Sequence, residues 1–322
     1  MSGAWLVTGG SGFIGGALLA LLQRAAPTRE LWLAGRHAPG VLPAGACHWP
    51  LDLATRDIEL PPGLHTVLHL AGEKRDPARM QTVNTEGAAR LVDATARAGA
   101  RCFVHLSSVG VYGAPRHAGV VDERFPHTPH GPYEASKDAG ERAVRERCAA
   151  QGLRCVVLQP SNVVGIVPGR SLPLLGLVRM VARGWFRHFG RREAWVNYIA
   201  VEDVAAALVA AALHADAEGV FIVNTPAPLA AFVGWVADEL GLPAPTARLP
   251  YGLGAGAAAA GAMGRMLLRR ELPFTPERFG ELTNTTRYDG GALSQGLGFA
   301  YPLGIEAALR SMVRQYRRMG MV

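Results

Sequence analysis

Cysteine is scarce in this chain, and long apolar runs are missing. Four cysteines in 322 residues, at positions 47, 102, 148 and 155, show neither a C-x-x-C pair nor the Cys/His spacing of a zinc site. Nothing therefore indicates a metal-stapled or disulfide-framed fold, and a reduced, cytoplasmic enzyme is expected. The N-terminal apolar segment is only a few residues long and passes straight into a glycine-rich loop, unlike a signal peptide. Residues 250–264 are uncharged but mostly glycine and alanine, too short and too weakly hydrophobic to cross a bilayer, so no membrane partner is expected. Internal repeats and low-complexity tails are lacking too. The net charge is +7 and the pI near 9.6. The arginines are nevertheless spread through several segments with no accompanying aromatic-and-basic module, so nucleic acid is not expected, and an anionic small-molecule substrate accounts for the charge as well. The length allows one large or two medium domains with a substantial core.

What is present begins with the stretch 7–15, Val-Thr-Gly-Gly-Ser-Gly-Phe-Ile-Gly, between an apolar run at 4–7 and a helical pattern at 13–22. A strand that turns into a helix through such a loop predicts a dinucleotide site. Gly9 permits the tight turn, Gly12 clears the approach of a pyrophosphate, and Gly15 lets the helix pack on the strand, with Phe13 and Ile14 opening it. The helix N-terminus then faces the phosphates. A second strand at 31–34 is followed by Arg36, where an acid would favour NAD by binding a ribose hydroxyl. An arginine there can instead pair with a 2′-phosphate, so NADP(H) is preferred over NAD, the alternative being a solvated surface arginine. Asp52 and Leu53 are placed on the adenine side. A buried strand at 66–72 ends in Leu70, Ala71 and Gly72, small enough to skirt the cofactor. His65, just before that strand, and His69, on it, lie four apart and are read as structural.

Helical periodicity over 84–94 starts at Asn84 and closes near Gly99. A strand at 102–106 leads to Ser107 and Ser108, and a proline-initiated helix runs from Pro132 to about residue 150. Tyr133 and Lys137 lie four apart, on one helix face. A tyrosine with an ordinary pKa near 10 is a poor proton shuttle at neutral pH, and an ammonium one turn away is expected to pull it down. A serine hydroxyl at the nearby strand end can hydrogen-bond a reacting carbonyl or alcohol.

These motifs, in this order, resemble an extended short-chain dehydrogenase/reductase of the NAD-dependent epimerase/dehydratase type. The likeness rests on the glycine loop, His69 to Gly72, Asn84 to Gly87, the Ser-Ser-Val-Gly-Val-Tyr-Gly stretch 107–113, Tyr133 to Lys137, and the segments 159–165, 197–204 and 297–302. It implies a Rossmann-type doubly wound parallel sheet with a smaller C-terminal substrate lobe, and Ser108, Tyr133 and Lys137 as the catalytic set. Ser108 is preferred to Ser107 because it stands four residues before Tyr112 of the Val-Tyr-Gly motif. Lys137 would also hold the nicotinamide ribose, with Ser107, Asn84 and Pro160 near the cofactor and Asn162 near the substrate. Two departures are Gln159, where the family usually has arginine before proline, and Arg36, where its NAD-using members carry an acid.

A strand over 153–160 and a loop over 160–165 follow. Between residues 170 and 192 six arginines (Arg170, Arg179, Arg183, Arg187, Arg191 and Arg192) are threaded through an apolar pattern. The resemblance implies a substrate lobe here, with Arg187, Arg191 and Arg192 facing a nucleotide diphosphate, although a solvated basic face explains any one of them equally. Residues 1–165 with 197–225 are assigned to the dinucleotide domain, and 166–196 with 226–322 to the substrate lobe. Helices are expected at 201–213, 232–240 and 305–319, a strand at 220–224, and a packed helix, or else a flexible cover, at 251–263. The expected activity is NADP(H)-dependent reduction or epimerisation of a 4-keto nucleotide sugar by a homodimer paired through 84–98 and 133–150. The alternatives are a 3β-hydroxysteroid-type dehydrogenase acting on an apolar alcohol, and a non-catalytic NADP-binding regulator.

Overall fold

Apolar strands that read without alternation are those covered on both faces, and β1 (Ala4–Thr8) is buried along its whole length. The computed structural model describes residues 3–25, 30–38, 42–113, 119–166, 172–268 and 274–322. After the glycine turn comes α1 (Phe13–Ala25), then β2 (Leu31–Gly35), β3 (Ala46–Pro50) and β4 (Leu64–His69). The next helix begins earlier than the pattern at 84–94 suggests. Asp76 caps it by accepting from the Ala78 N–H, and Pro77 suits its first turn, giving α2 (Pro77–Met80). A π-helical stretch (Gln81–Gly87) then joins α2 to α3 (Ala88–Arg97). Insertions of this kind re-aim side chains near functional sites.

β5 (Cys102–Leu106) leads into a short 3₁₀ turn (Val109–Tyr112), β6 (Val120–Val121), α4 (Pro132–Gln151), β7 (Arg154–Pro160) and β8 (Asn162–Val164). The loop expected at 160–165 thus contains a strand, because its backbone pairs with β11 (Tyr198–Ala200). Between these two strands lie α5 (Leu175–Ala182), β9 (His188–Phe189) and β10 (Trp195–Val196). The remainder comprises α6 (Val201–Leu213), β12 (Gly219–Val223), β13 (Ala227–Pro228), α7 (Leu229–Leu240), β14 (Arg248–Leu249), α8 (Tyr251–Leu268), α9 (Pro276–Leu282), β15 (Arg287–Tyr288), α10 (Gly291–Leu297) and α11 (Gly304–Arg318).

Seven strands form one parallel sheet in the order β12-β7-β5-β4-β1-β2-β3. This is a Rossmann-type α/β fold. Strand order reverses at β1, which has β2 on one side and β4 on the other, and such a switch point opens a crevice at the carboxyl ends of the strands. Alternate residues of the same strands supply two cores. Trp5, Val7, Leu68, Val104 and Leu158 pack under α1 and α6, while Leu6, Val67, Phe103 and Val157 pack under α3 and α4. Full burial of each such side chain contributes roughly 1.5–3 kcal/mol. A third core joins α5, α7 and α11 through Val178, Phe232, Val236, Leu309 and Tyr316. The Ala/Gly-rich stretch forms the helix α8, where Gly254 leaves room for the rings of Phe189 and Phe279.

Candidate active site

The glycine turn sits at the switch point, and its backbone explains its composition. Gly9 has φ +72°, and a Cβ there would lie 2.7 Å from the Ala71 nitrogen. A Cβ on Gly15 would strike the Gly9 carbonyl oxygen. Both positions exclude side chains because α1 must start tight against β1 and the end of β4. The turn opens on a cleft of about 340 Å³ that also includes Gly12, Arg36, Asp52, Leu53, Leu70, Ala71 and Gly72. Thr8 fixes the far wall, its hydroxyl being 2.7 Å from His69 Nδ1 and accepting from the Leu70 and Ala71 N–H groups at 3.2 Å. A helix N-terminus, a backbone-lined turn and a crevice of this size fit a dinucleotide. Sequence reasoning left several residues of this cleft unassigned, among them His37, Glu73 and Arg79. Arg79 carried a signal, the charged cluster at 73–79 just beyond the small residues at the end of β4.

Other expected cofactor residues lie outside this cleft. Phe13 and Ile14 are partly buried: the Phe13 ring lies near Gly165, and Ile14 packs against the core beneath α1. Asn84 is buried, and its amide is fully engaged. Its Oδ1 accepts from the Glu73 N–H at 2.7 Å, and its Nδ2 donates to the Glu73 carbonyl at 2.7 Å and to Ser136 Oγ at 2.9 Å. It ties the cleft-side loop to α4. Pro160 ends β7 as a buried residue.

A second cleft, of about 440 Å³, holds Ser108, Tyr133 and Asn162 together with Gly110, Trp195, Asn197, Tyr198 and Tyr288. Ser108 is extended, with φ −163°, and its Oγ accepts from the Gly110 N–H at 3.1 Å, so it caps the 3₁₀ turn while lining the cavity. Ser107 is buried with a hydroxyl that has no partner among the described residues. Beneath the cavity, Asn224 donates to Asn197 Oδ1 at 3.0 Å and accepts from Ser161 Oγ at 2.6 Å, a satisfied network that stiffens the floor.

Tyr133 and Lys137 share a face of α4, as their spacing predicts, but their electrostatics differ from expectation. Lys137 is buried, and its Nζ donates to the Leu106 carbonyl at 2.6 Å. Burial pushes its pKa down to about 8, opposed by the carboxylate of Glu141. Burial likewise pushes the Tyr133 phenol above its ordinary value, so the depression expected from the neighbouring ammonium is not found. Desolvation outweighs the lysine because that ammonium is directed at a strand carbonyl. Tyr133 is therefore a phenol at neutral pH, the form that donates a proton.

The arginines separate from this cleft. Arg187 donates to the carbonyls of Gly184 and Phe186 at 2.7 and 2.8 Å. Arg191 and Arg192 line a further cavity of about 400 Å³ with Phe189, Gly190 and Tyr251. Arg170 lies outside the described residues.

A crevice fit for a dinucleotide at the end of β4 and a Ser/Tyr cleft past the end of the neighbouring strand β5 fit a nicotinamide-dependent α/β enzyme. Comparison with known proteins makes this more particular: the profile of the NAD dependent epimerase/dehydratase family matches residues 5–224, and the chain belongs to that family. It is an oxidoreductase or epimerase of the short-chain dehydrogenase/reductase type. A UDP-glucose 4-epimerase of Azospirillum brasilense is 32% identical over 245 residues, 65% of this chain and 68% of that protein. A GDP-6-deoxy-D-mannose reductase of Pseudomonas aeruginosa is 31% identical over 234 residues, 67% of this chain and 73% of that protein. Among solved structures, MoeE5 in complex with UDP-glucose and NAD superposes with a TM-score of 0.67 at 24% identity, covering 98% of this chain and 99% of that one. Among the described residues, no helix is long and apolar enough to cross a membrane.

Proposed function

We propose that the chain reduces or epimerises a nucleotide-linked 4-keto sugar, with NADP(H) preferred over NAD. The observation that carries this reading is that Ser108, just past the end of β5, and Tyr133, on α4, line one cleft. When bound, the nicotinamide supplies or accepts the hydride. The protein's own residues do the rest. Ser108 Oγ donates to the substrate oxygen, and Tyr133, a phenol at neutral pH, passes its proton to that oxygen as the carbonyl becomes an alcohol. Lys137, charged and adjacent, stabilises the phenolate left behind and holds the ribose edge. Similarity to a UDP-glucose 4-epimerase and a GDP-6-deoxy-D-mannose reductase supports a nucleotide sugar as substrate. Arg36 at the end of β2, with Arg79 in the same crevice, supports the 2′-phosphate preference.

The test is turnover: NADPH oxidation with 4-keto nucleotide sugars, or epimerisation of UDP- and GDP-sugars. The absence of both from folded protein would sink the assignment. Tyr133→Phe is expected to lower kcat by about 10²–10⁴-fold while the protein stays folded. The aromatic wall of Trp195, Tyr198 and Tyr288 favours a second reading, an apolar alcohol substrate. Melting separates the two, because UDP or GDP raises Tm under the first reading and leaves it unchanged under the second. A homodimer through the outer faces of α3 and α4 completes the proposal. Sedimentation at micromolar concentration should then show a dimer, and a monomer would count against this part.

A further inference from the structure

One helix stripe continues past the catalytic pair. Tyr133, Lys137 and Glu141 are spaced four apart on α4, so each stands one turn beyond the last. Glu141 is 0% exposed. Carboxylates are almost never so deep without a paired cation, because leaving water is too unfavourable for an isolated charge. Among the described residues, its hydrogen-bonded neighbour is neutral. Glu141 Oε2 accepts from Gln159 Nε2 at 2.9 Å, and Gln159 Oε1 accepts from the Tyr112 hydroxyl at 2.6 Å. Oε1 of Glu141 has no partner among the described residues. Gln159 is the residue that stands where the resembled family usually places an arginine. An arginine would cancel the carboxylate's field, whereas an amide fixes its position and leaves the field intact.

The groups that face Lys137 come from every element around it. The Leu106 carbonyl on β5 accepts its hydrogen bond, Tyr133 and Glu141 flank it on α4, and His69 on β4 and His105 on β5 lie within its electrostatic reach. Burial first, and Lys137 second, hold both imidazoles neutral, His69 down to about 3 and His105 well below its ordinary range. Tyr112 is kept un-ionised by burial and by Glu141. Of the titratable groups named around Lys137, Glu141 is the one that favours its ammonium form.

We propose that Glu141, oriented by Gln159, is a positioning residue that keeps Lys137 in its ammonium form by through-space attraction across one helical turn. The proposal rests on the reading of Lys137 as part of the catalytic set. Its leverage comes from where Lys137 titrates. A pKa of about 8 lies close to neutral pH. Lowering it by one unit would cut the charged fraction at pH 7.5 from about three-quarters to about one-quarter.

The chain has two lysines, the exposed Lys74 and the buried Lys137, so protein labelled with ¹⁵N-lysine reports Lys137 directly, with K74R to assign the signals. The measurement is the titration of the Lys137 ammonium in the full chain without substrate or cofactor. E141Q is nearly isosteric, and an amide flip at Gln159 can keep both hydrogen bonds. Its Lys137 midpoint is expected to fall by about one pH unit. Q159R keeps the carboxylate but adds an opposing cation, and a fall in the same direction is expected, which preserves the test should E141Q fail to fold. A wild-type midpoint in either folded variant overturns the proposal. In the active enzyme, the alkaline limb of kcat/KM should move with the midpoint, whereas a purely structural glutamate would lower rate and Tm without moving that limb. Because the titration needs no turnover, a shifted midpoint in a protein with no measurable activity would count against the functional reading alone.

Discussion

At the scale of single residues, the site shows burial and charge acting in opposite directions on neighbouring groups. Lys137 loses most of its basicity to desolvation, and Tyr133 gains a higher pKa from the same cause. A proton donor and a cation thus coexist one turn apart without an ion pair to lock them. Arg36 is a different case, because it lines an open crevice and its worth depends on the ligand. Its guanidinium offers a 2′-phosphate charge-assisted hydrogen bonds and offers a ribose hydroxyl much less. Arg36→Ala is therefore expected to weaken NADPH binding by about 10-fold or more, the equivalent of one charged hydrogen bond, and to leave NADH binding nearly unchanged. Fluorescence titration of both cofactors measures this. Equal losses for the two would show that Arg36 does not read the phosphate.

At the scale of elements, the entry of α1 depends on two missing side chains. Gly15 has the Gly9 carbonyl where a Cβ would sit, and the turn cannot back away because Gly9 itself is pressed on the Leu70–Ala71 backbone. Gly15→Ala should cost about 1–3 kcal/mol and weaken dinucleotide binding at the same time, read as a lower Tm together with a higher cofactor Kd. Much of this was legible in the sequence, since a strand, a glycine turn and a helix announce themselves locally. So did α6, expected at 201–213 and found at Val201–Leu213, because its apolar period is unbroken. Less legible was whatever long-range packing decides. The π-helical stretch is visible only once Gly87 is seen against the Leu53 carbonyl. The amide of Asn84 is taken up by Glu73 and Ser136, partners on two other segments. The arginines of 179–192 read as one group along the chain, yet Arg187 folds back on its own turn while Arg191 and Arg192 line another cavity. The direction of the Tyr133 shift was hidden for the same reason, since spacing reveals a neighbouring charge but not the depth of burial.

At the scale of the whole molecule, the two neutral histidines beneath α4 make stability depend on pH. His69 and His105 lie side by side with ring centroids 5.2 Å apart and planes tilted by 32°, each about 1% exposed. His69 has the Thr8 hydroxyl as partner, whereas neither ring nitrogen of His105 has one among the described residues. Both imidazoles titrate lower in the folded chain than in the unfolded one, near 3 for His69. Between their ordinary value of 6.5 and those lower values the unfolded state binds more protons, so stability is present above pH 6.5 and is lost as pH falls through this window. Each such histidine contributes a slope of about 1.4 kcal/mol per pH unit within the window. Burial raises the carboxyls of Glu123 and Asp203, whose contributions have the opposite sign, so the part due to His105 is read as the difference between variant and natural chain. His105→Leu removes one titrating group and two unpartnered nitrogens at similar volume. Its Tm at pH 7 should stay level or rise by the equivalent of about 1 kcal/mol. Its loss of stability between pH 6.5 and 5 should be shallower than in the natural chain. Chemical denaturation at several pH values reads both effects, and an unchanged slope would mean that His105 is not buried in its neutral form.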